Sequence, residues 1–169
     1  IDVLCLQETK TQDEQFPVQP IAEAGWPNIA IRGEKSYNGV AILSRLPLTY
    51  ISHLNWTGRT DCRHISAVVK GLTLHNFYIP AGGDEPDVDK NPKFSHKLNF
   101  IAEMTKHFSQ QQPSRSILVG DLNIAPLPED VWSTRQLRDT VSHTAIERKN
   151  LLALVEQGGW TDSVRAHFG

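Results

Sequence analysis

Apolar residues recur along the chain in short runs bounded by turn signals: Ile1 to Leu6, Ile29 to Ile31, Val40 to Leu43, Ile65 to Val69, Leu72 to Ile79 and Ile117 to Val119. Runs of this kind between Gly, Pro, Asn and Asp clusters read as strands, and "RHISAVVKG" and "LTLHNFYIP" alternate as half-buried strands do. Two segments switch to the helical period. In "FSHKLNFIAEMTKHF" the residues Phe94, Leu98, Ile101, Thr105 and Phe108 fall on one stripe, with Ser95 as a candidate cap. In "AIERKNLLALVEQGG" the stripe is Leu151, Leu154 and Val155, stopped by Gly158 and Gly159. A short helix is expected within Thr11 to Gly25, limited by Pro17 and Pro20.

Strands therefore outnumber helices, and hairpin-length turns such as that in "VVKGLTL" join several of them. This predicts an α/β domain of largely antiparallel sheets with helices packed outside, not an alternating βαβ fold. No repeat or interdomain linker interrupts the chain, so residues 1–169 are expected to be one domain. The longest irregular stretch, Ala81 to Lys93, directly follows a strand; loops of that length in a compact domain are usually functional or mobile. The opening "IDVLCLQET" already lies inside a strand pattern, so the chain is expected to be a segment of a longer protein.

Composition narrows the class. At 169 residues and 39% hydrophobic content the chain suits one globular domain, with no apolar run long enough to span a bilayer. Cys5 and Cys62 are expected to be reduced thiols, which points to a cytoplasmic protein. A formal charge of −2 leaves room for nucleic-acid binding only through a local basic face. Seven histidines without ligand spacing give no zinc motif. The four tryptophans, Trp26, Trp56, Trp132 and Trp160, are expected to pack.

Three strand ends carry the candidate chemistry: "LCLQET" presents Glu8, "HNFYIP" presents Tyr78, and "ILVGDLN" presents Asp121 and Asn123. A hard cation takes oxygen ligands and often only one or two protein carboxylates. Glu8 could supply one. Asp121 could orient or deprotonate a water, Asn123 could hold that water or a phosphate oxygen, and Tyr78 could donate to a phosphate oxygen as charge develops. Each residue alone has an ordinary explanation, as turn chemistry or a core aromatic. Their repetition at three strand ends favours a site.

"LQETK", "NFYIPAGG" and "GDLNIAP" resemble the motifs of the exonuclease III family of apurinic/apyrimidinic endonucleases, within the superfamily of Mg²⁺-dependent endonucleases, exonucleases and phosphatases. "YNGVAILSR" and "ERKNLLALVEQGGWTDSVR" resemble its intervening segments. The resemblance implies a four-layered α/β sandwich, two mainly antiparallel sheets flanked by helices, here incomplete at both ends. It implies Glu8 as the metal-binding glutamate, Tyr78 as the tyrosine on the scissile phosphate, and Asp121 and Asn123 as the pair that positions the attacking water. The cofactor would be Mg²⁺, with Mn²⁺ as substitute. The substrate would be duplex DNA with an abasic site or a 3′ end, and the protein a monomer with no membrane association.

The resemblance has gaps. The family's leading Trp-Asn strand, its Arg-x-Asp strand and its Ser-Asp-His motif have no counterpart in residues 1–169, and Ala81 stands where many members carry an amide. These residues alone are therefore expected to be marginally folded and nearly inactive. Lys90, Lys93, His96 and Lys97 follow the Tyr78 motif, and Arg59, Arg63 and His64 precede the strand before it. Charge alone favours a solvated face, because Asp84, Glu85, Asp87 and Asp89 dilute the first cluster. The resemblance turns the choice toward DNA, with Lys93 and Lys97 as backbone contacts. The alternatives are a superfamily phosphoesterase with a non-DNA substrate and a catalytically inactive fragment.

Overall fold

A computed structural model describes residues 1–168 as a mixed α/β chain. The strands are β1 (Val3–Gln7), β2 (Asn28–Glu34), β3 (Tyr37–Ser44), β4 (Thr49–Ser52), β5 (His64–Val69), β6 (Leu72–Tyr78) and β7 (Ser116–Asp121). The helices are α1 (Val18–Glu23), α2 (Pro92–Gln111), α3 (Thr134–Leu137), α4 (Ala145–Gln157) and α5 (Ser163–Phe168). The chain divides into two compact units. One comprises Ile1–Tyr78 with Arg115–Leu122, and the other comprises Ile79–Ser114 with the chain from Asn123 onward.

The first unit holds both sheets. Strands β1, β3 and β2 form one antiparallel sheet in that order, and β4, β5, β6 and β7 form the other. The central position of β3 explains its sequence. It is buried from Asn38 to Ser44, so it reads as a continuous apolar run and not as an alternating one. Between the sheets lie Ala30, Val40 and Ile42 from one and Ile65, Ala67, Leu74 and Tyr78 from the other, flanked by Val3, Cys5, Leu48 and Val119. Cys5 and Cys62 are free thiols. The pairings are largely antiparallel, as expected, with one exception: β6 and β7 pair in parallel, with Tyr78 opposite Asp121, so the chain from β6 through α2 to β7 is a βαβ crossover. Strand β4, with all four residues exposed and its Tyr50 and Ile51 adjacent and not alternating, escaped prediction.

The second unit is helical. Helix α2 buries Phe94, Leu98, Ile101 and Phe108 as its period predicts. Its cap is Asn91, whose side chain accepts from the Lys93 amide at 3.0 Å, and not Ser95. Pro92 occupies the first turn, where its missing N–H costs nothing. The Asn91 carboxamide also donates to the Gly82 and Glu85 carbonyls at 2.9 and 2.6 Å, which fastens the long loop after Tyr78 to the helix. Helix α4 starts at a capping box in which Thr144 and Glu147 satisfy each other's backbone amides, and it buries Leu151 and Leu154. Phe108 meets Trp160 edge to face at 5.2 Å. Trp132, expected to pack, is 73% exposed. Among the described residues no helix is long and apolar enough to cross a membrane.

Candidate functional site

Glu8 stands just beyond β1 with a left-handed backbone, φ 54°. The turn it enters is held to β3, because the Thr9 and Lys10 amides donate to the carbonyls of Gly39 and Asn38 at 3.3 and 2.9 Å. A side chain is thereby turned out of the strand and left 44% exposed. The Lys10 ammonium sits 2.8 Å from its carboxylate. That hydrogen bond first, and one from the Tyr78 hydroxyl second, hold the Glu8 carboxyl below the ordinary carboxylate range. The charges of Lys10 and Arg63 act in the same direction.

Tyr78 ends β6 opposite Asp121, the last residue of β7. Burial pushes its phenol up to about 12, assisted by the hydrogen bond to Glu8 and by the negative charges of Glu8 and Asp121. Asp121 follows Gly120, whose φ is 133°. A Cβ at Gly120 would run into the Phe77 carbonyl of the neighbouring strand, so the glycine permits backbone to approach backbone. The first unit thus places Tyr78 beside both Glu8 and Asp121.

Two supporting residues were missed. Arg63 is 5% exposed, not part of a solvated face. Its guanidinium lies 4.8 Å from the centre of the Tyr78 ring, Nη1 donates to the Tyr78 carbonyl at 3.3 Å, and Nε pairs with Asp61 at 2.8 Å. It holds the tyrosine from ring and backbone at once. Asn76 is fully buried in β6. Its carboxamide donates to the Leu6 carbonyl of β1 at 2.9 Å and the Ala41 carbonyl of β3 at 3.0 Å, and accepts from Gln7 at 2.6 Å. One amide therefore sets the end of β6, with Tyr78, against the end of β1, with Glu8. The visible signal was an asparagine in the apolar run "LHNFY", which demands partners if it is buried.

In the second unit, Asn123 also has a left-handed backbone, φ 52°. Its carboxamide donates to the Ile79 carbonyl at 2.9 Å. Lys93 is exposed in the first turn of α2. Lys97 corrects the sequence reading. It is fully buried and its ammonium is engaged by Glu147 and by the Asn123 and Ala81 carbonyls, so it has no path to a DNA backbone.

A divalent cation fits this donor set. No group of three or more His, Cys, Asp or Glu converges among the described residues, but Mg²⁺ commonly takes one or two carboxylates and completes its shell with water and phosphate oxygens. Glu8 is ionised, accessible and already attended by a cationic group, the Lys10 ammonium, on a mobile stem that is 57% exposed.

The sequence profile described as the Endonuclease/Exonuclease/phosphatase family matches residues 1–167. The chain is 29% identical to exodeoxyribonuclease III of Haemophilus influenzae over 138 residues, 77% of this chain and 50% of that protein. Its fold is similar to a 3′-5′ exonuclease from Neisseria meningitidis, with a TM-score of 0.87 and 30% identity over 98% of this chain and 64% of the other. It is also similar to a Neisseria 3′ phosphatase bound to a product DNA hairpin, with a TM-score of 0.83 and 28% identity over 92% and 60%. The chain thus spans between half and two thirds of the length of these relatives. With a profile match over nearly its whole length, the chain belongs to the endonuclease/exonuclease/phosphatase family.

Proposed function

We propose that this chain carries the hydrolytic core of a metal-dependent DNA-repair phosphodiesterase, one that cuts beside abasic sites or trims 3′ ends by attack of water on phosphorus. The observation that carries the reading is the cluster of Glu8, Tyr78 and Asp121 at adjoining strand ends. A Neisseria relative captured with a DNA hairpin supports DNA as the substrate class.

Mg²⁺, or Mn²⁺ in its place, would be held by Glu8 and would supply Lewis-acid neutralisation of phosphate charge. Tyr78 is protonated at neutral pH, as any tyrosine is, and burial raises its phenol further, to about 12. It is therefore a hydrogen-bond donor, given to Glu8 in the free protein and available to a phosphate oxygen in the complex. Arg63, stacked on the ring and bonded to its carbonyl, keeps that donor in place. Asp121 orients or deprotonates the attacking water, and Asn123, two residues on in the chain, holds the water or a phosphate oxygen. Lys93 meets the DNA backbone.

The test is cleavage of a duplex with one abasic-site analogue, and of a duplex with a recessed 3′ end. Both are run with Mg²⁺ and with chelator, on residues 1–169 and on the complete gene product. Metal-dependent cleavage by the complete product, reduced about 10²–10⁴-fold by Asp121→Ala, is the expected result. Hydrolysis of small phosphoesters with neither duplex cut would remove DNA as the substrate.

A further inference from the structure

Lys97 and Glu147 form an ion pair 2.5 Å long with both side chains wholly out of solvent, and none of the roles above uses it. The pair is densely bonded. The Lys97 ammonium also donates to the Asn123 carbonyl at 2.7 Å and the Ala81 carbonyl at 3.1 Å, and lies 3.5 Å from the Ser142 hydroxyl. The Glu147 carboxylate accepts from the Ser142 amide through both oxygens at 3.0 Å. It accepts also from the Thr144 amide at 3.2 Å and the Thr144 hydroxyl at 2.6 Å. Such a pair is not explained by stability. The desolvation of two charges offsets most of their attraction, and apolar residues of equal volume often do as well.

What the pair does supply is geometry. The Asn123 carboxamide donates to the Ile79 carbonyl, and the Lys97 ammonium ties the Ala81 carbonyl to the Asn123 carbonyl. The two tethers close a ring: Asn123 side chain to Ile79, along the chain to Ala81, through the ammonium, and back to the Asn123 backbone. Both ends of one asparagine are thereby pinned in a left-handed conformation. The ring needs one compact donor group that several acceptors can converge on, which the three N–H bonds of a single ammonium provide. Gly82, φ 94°, makes room for the stem: a Cβ there would lie 2.9 Å from Lys97 Cδ and 3.0 Å from Val141 Cγ1.

We propose that Lys97, itself oriented by Glu147, is a positioning residue that fixes the carboxamide of Asn123 for phosphodiester hydrolysis. The inference rests on the nuclease reading above, in which Asn123 touches water or phosphate.

The test uses the complete gene product with Lys97→Met and Glu147→Gln combined, which removes both charges at nearly constant volume and leaves no buried charge unpaired. The expected result is a folded protein whose kcat falls about 10–100-fold with KM little changed, as for a group misplaced by a fraction of an ångström to an ångström. In an Asn123→Ala background the same pair of changes should cost little more, because both routes release one side chain. The amide ¹⁵N resonance of Ile124 reads the hydrogen bond on the Asn123 carbonyl independently of activity, and it should move. A changed melting temperature with kcat and the Ile124 resonance both unmoved would overturn the proposal and leave the pair as scaffold. If the unaltered protein cleaves no DNA, the nuclease reading falls; an unmoved Ile124 resonance would then overturn the tether as well, and a moved one would uphold it. Should the double variant not fold, Gly82→Ala displaces the Lys97 stem with both charges kept, and the same readouts decide.

Discussion

Two lysine–glutamate pairs, chemically alike, serve opposite ends in the two units. Glu8 and Lys10 meet in solvent, 44% and 57% exposed, while Lys97 and Glu147 meet with no exposure at all. In water such a pair contributes at most about 1 kcal/mol and its partners exchange freely. The Glu8 carboxylate is thus attended by a cation that can be traded for another. Removed from water, the same two groups cannot trade, because separation strands a charge. Exposure decides whether a charge is there for exchange or for holding.

The sharpest way to break the comparison is to remove one lysine from each pair. Lys97→Met alone leaves Glu147 buried and unpaired, and urea denaturation should show a loss of about 3–5 kcal/mol; a loss of under about 1 kcal/mol would mean that water reaches the pair. Asn76→Ala tests a buried amide without charge. It strands the Leu6 and Ala41 carbonyls and is expected to cost about 1–3 kcal/mol in the same measurement.

Tyr78 sharpens the comparison spectroscopically. Its folded phenol titrates near 12, above its ordinary value of 10.0. The native state therefore holds this proton more tightly than the unfolded chain. The stability so gained is complete below the unfolded pKa and is lost as pH rises through the folded one, from about 10 to 12. Absorbance of phenolate should show a late step near 12 that is missing in Tyr78→Phe; a single step at the ordinary value would contradict the burial described. Lys10→Ala is the smallest effect, under about 1 kcal/mol. Because Lys10 is the first cause of the lowered Glu8 carboxyl, an NMR titration should nevertheless find that carboxyl shifted upward. Glu8's own share of stability is present above the unfolded pKa and lost as pH falls through the folded one, so this variant narrows the loss on the acid side.

Much of this was legible in the sequence where a local pattern reports a local cause. The α2 stripe and the "VAIL" run of β3 are imprints of burial, and the strand ends at Glu8, Tyr78 and Asp121 are where the sheets deliver side chains. The parallel pairing of β6 with β7 left a single imprint, the helical stripe of α2 lying between two apolar runs, and hairpin turns elsewhere outweighed it. Strand β4 is exposed on every residue and so has no apolar period. The misreading of Lys97 was avoidable. It lies three residues after Phe94 and four before Ile101, on the buried stripe, and Glu147 stands four before Leu151 in the same way. A charge that keeps step with an apolar stripe has a buried partner. Arg63, next to His64 at the start of β5, gave no such rhythm, and only the stacked Tyr78 ring reveals its use.

The parallel crossover also has a consequence for the order of assembly. Tyr78 and Asp121 become neighbours only when β7 docks on β6, and closing so long an intervening loop is slow beside forming a hairpin or a helix. A chain emerging from the ribosome presents Glu8 and Tyr78 well before Asp121 has been synthesised. The cluster can then form only after α2 has been made and β7 has found its edge, so any hydrolytic capacity appears as a late event in the life of the nascent chain.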